Sequence, residues 1–495
     1  MHENLYVIAH PEYFESPTRY TITPHYADVL ASILPEGWKT VRDGPWLGVS
    51  NGAAFPPQGF KIHVSSIPAQ AQTLLRLVAS ECVDRGFTFK VAADPRMLHV
   101  LNSKGFNRGN SGKFITIYPP TEDAFRELIE ALYVKTRDRD FVGPYILSDR
   151  RYKDSKVLFY RYGGFERRQR LNIDGTKTPL IQSPAGEWVP DVRTPFFQLP
   201  EWVRDPFPTP ADEDGRSEPI LRGRFRVESA IRFSNSGGIY AGTDLETGQE
   251  IVIKEARPYT APWTVGGVFL HASRFLEREW AILQRLQRLG CVPKAIALFT
   301  EWEHTFLVEE FIRGTTYWNF WVDRENLLCP FIRRPGRIEA FLPKFRATAE
   351  ALIKAVASVH AAGVVLGDLS PRNVFITRDP FEVRFIDFEG ATVLGETNGD
   401  FAAFGRQWHT PGYMNPERST RATADPSDDW YAVGMLLYCA VIPVQQFFAL
   451  HPSARDLFLD ECVRLGIPPE VRHIINALLH GRPDEASHRL AAAGW

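Results

Sequence analysis

The sequence predicts an α+β protein built from two domains, and three observations support this prediction. The 495 residues are too many for one hydrophobic core. The segment 183–219 contains eight prolines, and its acidic end, 208–219, has little that could be buried. Helix and strand signals alternate before this segment, whereas strand signals precede helix signals after it. We therefore place the first domain at 1–205, a linker at 206–218 and the second domain at 219–495.

The overall composition argues against several classes of protein. Lys and Arg total 57 and Asp and Glu total 59, so we expect neither nucleic acid nor a membrane among the partners. No apolar run approaches the roughly 20 residues that cross a bilayer, and the polar start does not resemble a signal peptide. The five cysteines are scattered and form no Cys-x-x-Cys pair, which argues against a disulfide framework. We expect a protein of the reducing cytoplasm.

Capping residues and apolar spacing predict the elements of both domains. In the first domain Pro24 starts one helix, Pro68 starts a second that Gly86 ends, and Thr121 caps a third. Alternating side chains predict strands at 61–65, 87–91, 113–118 and 157–162. The second domain is predicted to begin with strands around a glycine-rich turn and to continue with helices near 273–288, 345–361 and 430–441.

The second domain contains six elements that occur in protein kinases, in the same order and at similar spacing. They are Ser234–Gly242, Ile251–Lys254, Glu279, Leu366–Asn373, Ile386–Gly390, and the pair of segments Asn415–Glu417 and Asp429–Gly434. Each has an ordinary structural explanation when it is taken alone, such as a turn, a surface lysine or a solvated helix charge. All six together predict a two-lobed protein-kinase fold over 219–495.

The same motifs predict how a nucleotide would be held. Gly237 and Gly238 let backbone N–H groups approach phosphates, and Lys254 would contact the phosphates while it pairs with Glu279.

The catalytic loop would supply the remaining groups. Asp368 would orient the substrate hydroxyl and accept its proton, while Asn373 and Asp387 would bind magnesium. The expected cofactors are Mg²⁺ and ATP, with GTP left open as the nucleotide.

Three departures from the kinase pattern keep a degenerate, inactive kinase open as an alternative. Leu366-Gly367 replaces the usual His-Arg before the catalytic Asp, so control by activation-loop phosphorylation is not expected. Ser370 stands where a Lys is usual, and Glu389 replaces the Gly of the Asp-Phe-Gly motif. We favour an active kinase because the charged groups that would hold nucleotide and metal are all present.

The predicted strands of the first domain bear cationic side chains that suit the elimination of a phosphate. Lys61 and His63 share one face of the strand at 59–65, and Lys90 lies opposite the apolar face of 87–91. β-Elimination requires a base for the α-proton, an acid for the leaving oxygen and cations for the phosphate.

Lys90 suits the base if burial and neighbouring cations depress its pKa, and His63 suits the acid. The cations available to grip phosphate are Lys61, Arg108, Lys113 and Arg161. The alternative explanation is a solvated strand face with no catalytic role.

Four segments of the first domain resemble the lyase domain of class III and class IV lanthipeptide synthetases. They are GFKIHVS (59–65), FTFKV (87–91), SGKFITIYP (111–119) and YRYGGF (160–165). These lyase domains are similar in turn to bacterial effector phosphothreonine lyases. In class III and class IV synthetases the lyase domain precedes the kinase domain, and this chain has the same predicted order.

The resemblance implies roles for individual residues. Lys90 would be the general base and His63 the general acid, with Lys61, Arg108 and Arg161 in the same site. Lys113 transfers less directly, and Arg150 and Arg151 less directly again.

The resemblance also implies a function, namely the dehydration of Ser and Thr in a ribosomally made precursor peptide of the bacterial cytoplasm. The kinase would phosphorylate the hydroxyls, and the lyase would then eliminate phosphate to leave dehydroalanine or dehydrobutyrine. The partner would be a precursor peptide with a leader and a core containing Ser, Thr and Cys. The insertion 257–271 is a candidate groove for the leader, although we slightly favour an ordinary variable loop.

Two other functions stay open. One is a Ser/Thr protein kinase whose first domain binds a phosphopeptide without catalysis, and the other is a scaffold with two inactive domains. Synthetases of these classes continue into a cyclase domain, which we expect to be absent because the 495 residues leave no room for it. The sequence is then either part of a longer protein or that of a natural dehydratase.

Overall fold

The computed structural model describes residues 20–208, 219–265, 268–396, 401, 409–421, 423–443 and 453–495. The first domain centres on a seven-stranded antiparallel sheet in the order β1-β2-β4-β5-β3-β7-β6. Its strands are β1 (Lys39–Asp43), β2 (Trp46–Ser50), β3 (Gln58–Val64), β4 (Phe89–Ala92), β5 (Ile115–Ile117), β6 (Arg150–Arg151) and β7 (Leu158–Gly164).

Helices of the first domain share one core with this sheet. They are α1 (His25–Ala31), α2 (Pro68–Arg85), α3 (Pro95–Asn102) and α4 (Glu122–Thr136). The predicted signals are confirmed, since Gly86 ends α2 at a φ of 73° and the Thr121 hydroxyl accepts a bond from the Ala124 amide at 3.2 Å. Ile62 and Val64 belong to the core, so the alternate positions of β3 face the other side of the sheet.

A small second sheet completes the first domain. Its strands are β8 (Gln169–Leu171), β9 (Lys177–Gln182) and β10 (Trp188–Pro190), in the order β10-β9-β8. The chain then returns to the main core, where Arg150 pairs with Asp205 at 2.6 Å and Phe207 packs against buried side chains. The first domain therefore reaches Phe207, slightly beyond the predicted boundary, while 209–218 of the predicted linker lies outside the described residues.

The second domain begins with a six-stranded antiparallel sheet in the order β11-β12-β13-β14-β18-β17. Its strands are β11 (Ile220–Leu221), β12 (Phe225–Ser234), β13 (Gly237–Asp244), β14 (Glu250–Ala256), β17 (Ala295–Glu301) and β18 (His304–Glu310). The insertion 257–271 includes the hairpin β15 (Trp263–Val265) and β16 (Val268–Leu270), and α5 (Ala272–Leu286) follows it.

The rest of the second domain is mainly helical, as predicted. Its helices are α6 (Tyr317–Val322), α7 (Arg337–Ala361), α8 (Pro426–Val441), α9 (Ala454–Arg464), α10 (Pro469–Leu479) and α11 (Pro483–Ala492). Short strands lie between them: β19 (Thr315–Thr316), β20 (Val364–Val365), β21 (Val374–Arg378), β22 (Phe381–Phe385) and β23 (Thr392–Val393). Helix α7 begins at Arg337 rather than near 345, and Pro343 lies within it although proline is usually excluded from helix interiors.

The two domains contact each other through hydrogen bonds, ion pairs and aromatic side chains. The Arg257 guanidinium of the second domain donates to the Tyr145 carbonyl at 2.6 Å, and Arg151 pairs with Glu303. The rings of Tyr145 and Trp302 lie 4.7 Å apart in an edge-to-face arrangement. In the described part of the chain, none of the helices has both the length and the apolar character to cross a membrane.

Candidate active sites in the two domains

The strand register of the first domain brings the predicted cations to one face of the sheet. Lys61 of β3 stands opposite Arg161 of β7, and Thr116 of β5 stands between His63 of β3 and Lys90 of β4. Residues directly opposite each other on neighbouring strands project from the same face. All five side chains line a cavity of about 460 Å³.

His63 is oriented by a carboxylate that the sequence did not reveal. Its Nδ1 is hydrogen-bonded to Asp149, which is fully buried, so the Nε2 atom is the one left to face a ligand. Asp149 also accepts a bond from Ser148 at 2.7 Å, and Lys113 lies 3.9 Å from it. Burial opposes ionisation of Asp149, but its interactions with His63 and Lys113 hold its pKa below the usual range.

The surrounding protein favours neutral forms of the basic side chains. Burial lowers the pKa of His63 to about 3, although Asp149 acts in the opposite direction. Burial also lowers the pKa of Lys113 to about 7 and, together with Arg193, that of Lys90 to about 8. Lys61, which donates to the Gly164 carbonyl, has a pKa well below its ordinary value because of burial and the nearby Arg161.

A second carboxylate fixes the arginines of the cavity. The Arg161 guanidinium is buried and donates to Asp191 at 2.6 Å, and Arg193 donates to the other oxygen of Asp191 at 3.4 Å. These two arginines present forked donors suited to a phosphate. The sequence did not single out Arg193 or Asp191, because they lie in the proline-rich segment that resembled a linker.

The structure does not bring Arg108 into this cavity, which contradicts its predicted place. Its loop turns towards the second domain, where the guanidinium meets Glu255 at 3.3 Å and covers the Phe233 ring at 4.9 Å. Arg108 lines the pocket of the second domain instead. The charge of Glu255 accounts for this orientation, and Arg193 supplies the additional arginine of the first cavity. Arg150 and Arg151, which the resemblance assigned to the lyase site less directly, form ion pairs elsewhere. Arg150 pairs with Asp205, and Arg151 pairs with Glu303.

The predicted nucleotide-binding residues of the second domain line one pocket, also of about 460 Å³. They are Gly237, Gly238, Lys254, Glu279, Asn373 and Asp387. A Cβ atom at Gly237 would lie 1.7 Å from the Glu255 carbonyl oxygen, so no other residue fits this turn. The turn is fixed by Arg257, whose guanidinium donates to the Asn235 carbonyl at 2.6 Å.

Lys254 is held between two carboxyl groups at the centre of this pocket. Its ammonium lies 2.7 Å from Glu279 and 3.0 Å from Glu309, and Glu279 also accepts a bond from the Phe388 amide at 3.1 Å. Burial raises the pKa of Glu279 to about 7. Burial disfavours a charged Lys254, yet the two carboxyl groups raise its pKa, so the ammonium is retained. The predicted Lys254–Glu279 pair is thus formed, and Glu309 is an additional partner.

The catalytic loop is supported by hydrogen bonds to Asp429 of α8 in the helical lobe. Asp429 accepts bonds from the Leu366 and Gly367 amides, each at 2.8 Å, and contacts His360 at 2.8 Å. Asp368 accepts a bond from the Thr410 hydroxyl at 2.7 Å, and burial raises the pKa of Asp368. These bonds hold the loop although the usual His-Arg is missing.

The residues of this pocket suit magnesium and a nucleoside triphosphate. The Asn373 side-chain amide donates to the Asp368 carbonyl at 3.1 Å, which leaves the amide oxygen of Asn373 for a metal. Asp387 has a φ of 67°, a strained conformation for a residue other than Gly that often marks a functional site. Oxygen donors of this kind are the ligands that magnesium prefers.

Comparisons with known proteins agree with this geometry. The family described as "Protein kinase domain" matches residues 226–479, which is more than half of the sequence. The chain belongs to the protein kinase family. The family described as "RamC, N-terminal domain" matches residues 26–219. The combination fits a class III/IV lanthipeptide synthetase, so the predicted resemblance and the predicted fold class are confirmed.

Three curated relatives are similar to parts of this chain. A probable SapB synthase of Streptomyces coelicolor is 36% identical over 455 residues, which are 90% of this chain and 47% of the relative. The serine/threonine-protein kinase pkn2 of Myxococcus xanthus is 28% identical over 55% of this chain and 32% of its own length. The kinase RqkA of Deinococcus radiodurans is 28% identical over 55% of this chain and 39% of its own length. The chain thus spans less than half the length of each of these relatives.

Proposed function

We propose that this chain dehydrates Ser and Thr side chains of a ribosomally made precursor peptide. The second domain phosphorylates the hydroxyl, and the first domain then eliminates the phosphate to leave dehydroalanine or dehydrobutyrine. The observation that supports this best is the shared sheet face of Lys61, His63, Lys90 and Arg161, in the same chain as a kinase pocket. A lysine whose pKa is lowered to about 8, by burial and then by Arg193, also suits a general base.

Phosphorylation needs a group that receives the proton of the substrate hydroxyl. Asp368 suits this role, because the Thr410 hydroxyl fixes its carboxylate, which lies 3.5 Å from the side-chain amide of the pocket residue Asn373. Lys254 contacts nucleotide phosphates while Glu279 holds it in place. Asn373 and Asp387 would hold Mg²⁺, which would neutralise phosphate charge during transfer.

Elimination uses the first cavity and breaks two bonds. Lys90 removes the proton from the α-carbon, and the electrons of that C–H bond form the double bond to the β-carbon. The bond between the β-carbon and the phosphate oxygen breaks, and phosphate leaves with that electron pair. His63 donates a proton to the leaving oxygen, while Lys61 and Arg161 hold the phosphate and Arg193 adds positive charge.

The protonation of His63 depends on the phosphate itself. With a pKa of about 3 the imidazole is neutral at physiological pH and carries a single N–H. With Nδ1 bonded to Asp149, the Nε2 atom then has no proton to donate. A phosphate dianion beside Nε2 favours the imidazolium, and Asp149 at Nδ1 stabilises that charge. The acid is therefore charged only when a phosphorylated residue occupies the cavity.

The proposed partner is a precursor peptide with a leader and a core containing Ser, Thr and Cys. Because both sites are in one chain, a bound peptide meets the second site at a high effective concentration. We place the reaction in the bacterial cytoplasm, where nucleotide and newly made peptide are both present.

Two single variants separate the half-reactions. The assay uses the peptide encoded by a neighbouring short reading frame rich in Ser, Thr and Cys, together with a chemically phosphorylated form of it. Asp368→Asn abolishes phosphorylation but still eliminates phosphate from the phosphorylated peptide. Lys90→Ala phosphorylates the unmodified peptide and then accumulates phosphopeptide.

The alternatives predict different products from the same assay. A kinase with a non-catalytic first domain yields phosphopeptide from the unaltered protein, and Lys90→Ala changes nothing. A scaffold with two inactive domains yields no product from either peptide. Either result contradicts the proposed dehydration.

A further inference from the structure

A loop of the first domain, residues 103–110, lies between the two candidate active sites. Phe106 of this loop lines both the lyase cavity and the nucleotide pocket. Asn107 and Asn110 line the lyase cavity, whereas Lys104 and Arg108 line the nucleotide pocket. Part of the wall of the kinase pocket therefore belongs to the other domain.

This interdomain loop is attached directly to the glycine-rich turn of the kinase. The Asn235 amide donates to the Lys104 carbonyl at 3.1 Å, and its side chain donates to the Ser103 carbonyl at 2.9 Å. Asn235 is in turn held by the buried guanidinium of Arg257. The backbone of Lys104 is thus fixed beside the turn that is expected to cover the phosphates.

The Lys104 side chain extends into the pocket and forms an ion pair there. Its ammonium lies 3.1 Å from each carboxylate oxygen of Glu389, two residues after the expected metal ligand Asp387. The carboxylates of Asp387 and Glu279 also stabilise the Lys104 charge. The Lys104 side chain keeps 46% of its solvent exposure, so it is able to exchange partners when a ligand enters.

The kinase domain lacks the lysine that usually follows the catalytic Asp, although Lys254 and Arg372 line the same pocket. Ser370 stands where protein kinases usually have a Lys two residues after the catalytic Asp, and Ser370 is buried. Glu389, which replaces a Gly, adds a negative charge next to Asp387. Lys104 offsets the charge of Glu389 and brings a further ammonium group to the pocket, where it can contact a triphosphate.

We propose that Lys104 is a phosphate-contacting residue of the kinase site, contributed by the first domain. Glu389 holds the Lys104 side chain in place, and the terminal phosphate of a nucleoside triphosphate takes over as its partner. This inference rests on the kinase half of the proposed function. The kinase site is accordingly incomplete without the first domain.

Nucleotide binding to the full chain tests this inference. Affinities for the non-hydrolysable triphosphate AMP-PNP and for ADP are measured with magnesium by calorimetric titration. Lys104→Ala weakens binding of AMP-PNP roughly tenfold, or about 1.4 kcal/mol, and weakens binding of ADP less than about twofold. Lys156→Ala removes an exposed lysine of the same domain and serves as the matched control.

A second variant distinguishes phosphate contact from a simple domain contact. Glu389→Gln releases Lys104 and removes a negative charge, so the affinity for AMP-PNP does not fall. Equal losses for AMP-PNP and ADP in Lys104→Ala, no loss at all, or the same loss in Glu389→Gln each overturn the proposal. If the unaltered protein binds neither nucleotide, the proposed kinase activity fails and the inference fails with it.

Discussion

The pH dependence of elimination offers a detailed test of the proposed base. Lys90 lies beneath the indole of Trp46, with its ammonium 4.5 Å from the ring centroid. Burial, and then the positive charge of Arg193, lower its pKa from 10.5 to about 8. A general base works only in its deprotonated form, so this pKa determines how much active enzyme is present.

The size of the effect follows from these two pKa values. At pH 7 a lysine with a pKa of about 8 is ~9% deprotonated, whereas one with a pKa of 10.5 is ~0.03% deprotonated. The cavity therefore increases the amount of free base roughly 300-fold. We predict that the elimination rate rises about tenfold per pH unit below neutrality, with the midpoint of this rise at about pH 8, and that it falls at higher pH where His63 loses the proton it donates.

Arg193→Gln is the perturbation that tests the cause of this profile. Removal of the guanidinium charge raises the pKa of Lys90, so the midpoint of the profile moves to higher pH. The assay is single-turnover elimination from chemically phosphorylated peptide without nucleotide, from about pH 6 to about pH 9. The midpoint is the readout because Arg193 also contacts phosphate in our proposal, which alters the maximal rate.

The test needs a control variant, and two outcomes of it would refute the argument. Arg170→Gln removes an exposed arginine of β8 that does not line the cavity, and it leaves the midpoint unchanged. A profile whose midpoint is the same in Arg193→Gln and in the unaltered protein refutes the electrostatic argument. Elimination that persists in Lys90→Ala at the original rate refutes the assignment of the base.

Three further predictions concern the supports of the two sites and the fold. Asp149→Asn removes the charge that orients and stabilises His63, and we predict an elimination rate lowered by at least about 10²-fold, with phosphorylation unchanged. Asp429→Asn weakens the bonds to the Leu366 and Gly367 amides, and we predict a phosphorylation rate about tenfold lower, with elimination unchanged. Gly86→Ala places a Cβ at a φ of 73°, and we predict an unfolding free energy lower by about 1 kcal/mol in denaturant titration.

Each of these predictions has an outcome that contradicts it. Equal losses of elimination and phosphorylation in Asp149→Asn point to a general loss of folding rather than a role at His63. Unimpaired phosphorylation in Asp429→Asn shows that the catalytic loop does not need this support. A Gly86→Ala protein that is as stable as the original shows that the end of α2 tolerates another backbone conformation.

Local sequence signals were sufficient for much of the fold. Strand alternation placed Lys61 and His63 on one face of β3, and this depends only on the side-chain period of a strand. The turn at Gly86 and the cap at Thr121 were equally local. The helix α3 was not predicted, although Asp94 caps it by accepting a bond from the Met97 amide at 2.8 Å.

The missed site residues depend on contacts between distant parts of the chain. Asp149 lies 86 residues after His63 in a loop, and no local pattern connects the two. Arg193 and Asp191 lie in a segment whose prolines suggested a linker, yet this segment closes the cavity. Arg108 was assigned to the wrong pocket because its position depends on Glu255 of the other domain. Sequence motifs therefore identified the residue types, while contacts between distant segments, within the first domain and across the interface, determined their surroundings.

The central claim is that one chain performs phosphorylation and elimination in that order. Mass spectrometry of the candidate precursor peptide, after incubation with the unaltered protein, nucleotide and magnesium, tests it most directly. Our account predicts peptide that has lost one water for each modified Ser or Thr, with transient phosphopeptide that persists in Lys90→Ala. Stable phosphopeptide as the final product of the unaltered protein, from a peptide shown to bind, contradicts it.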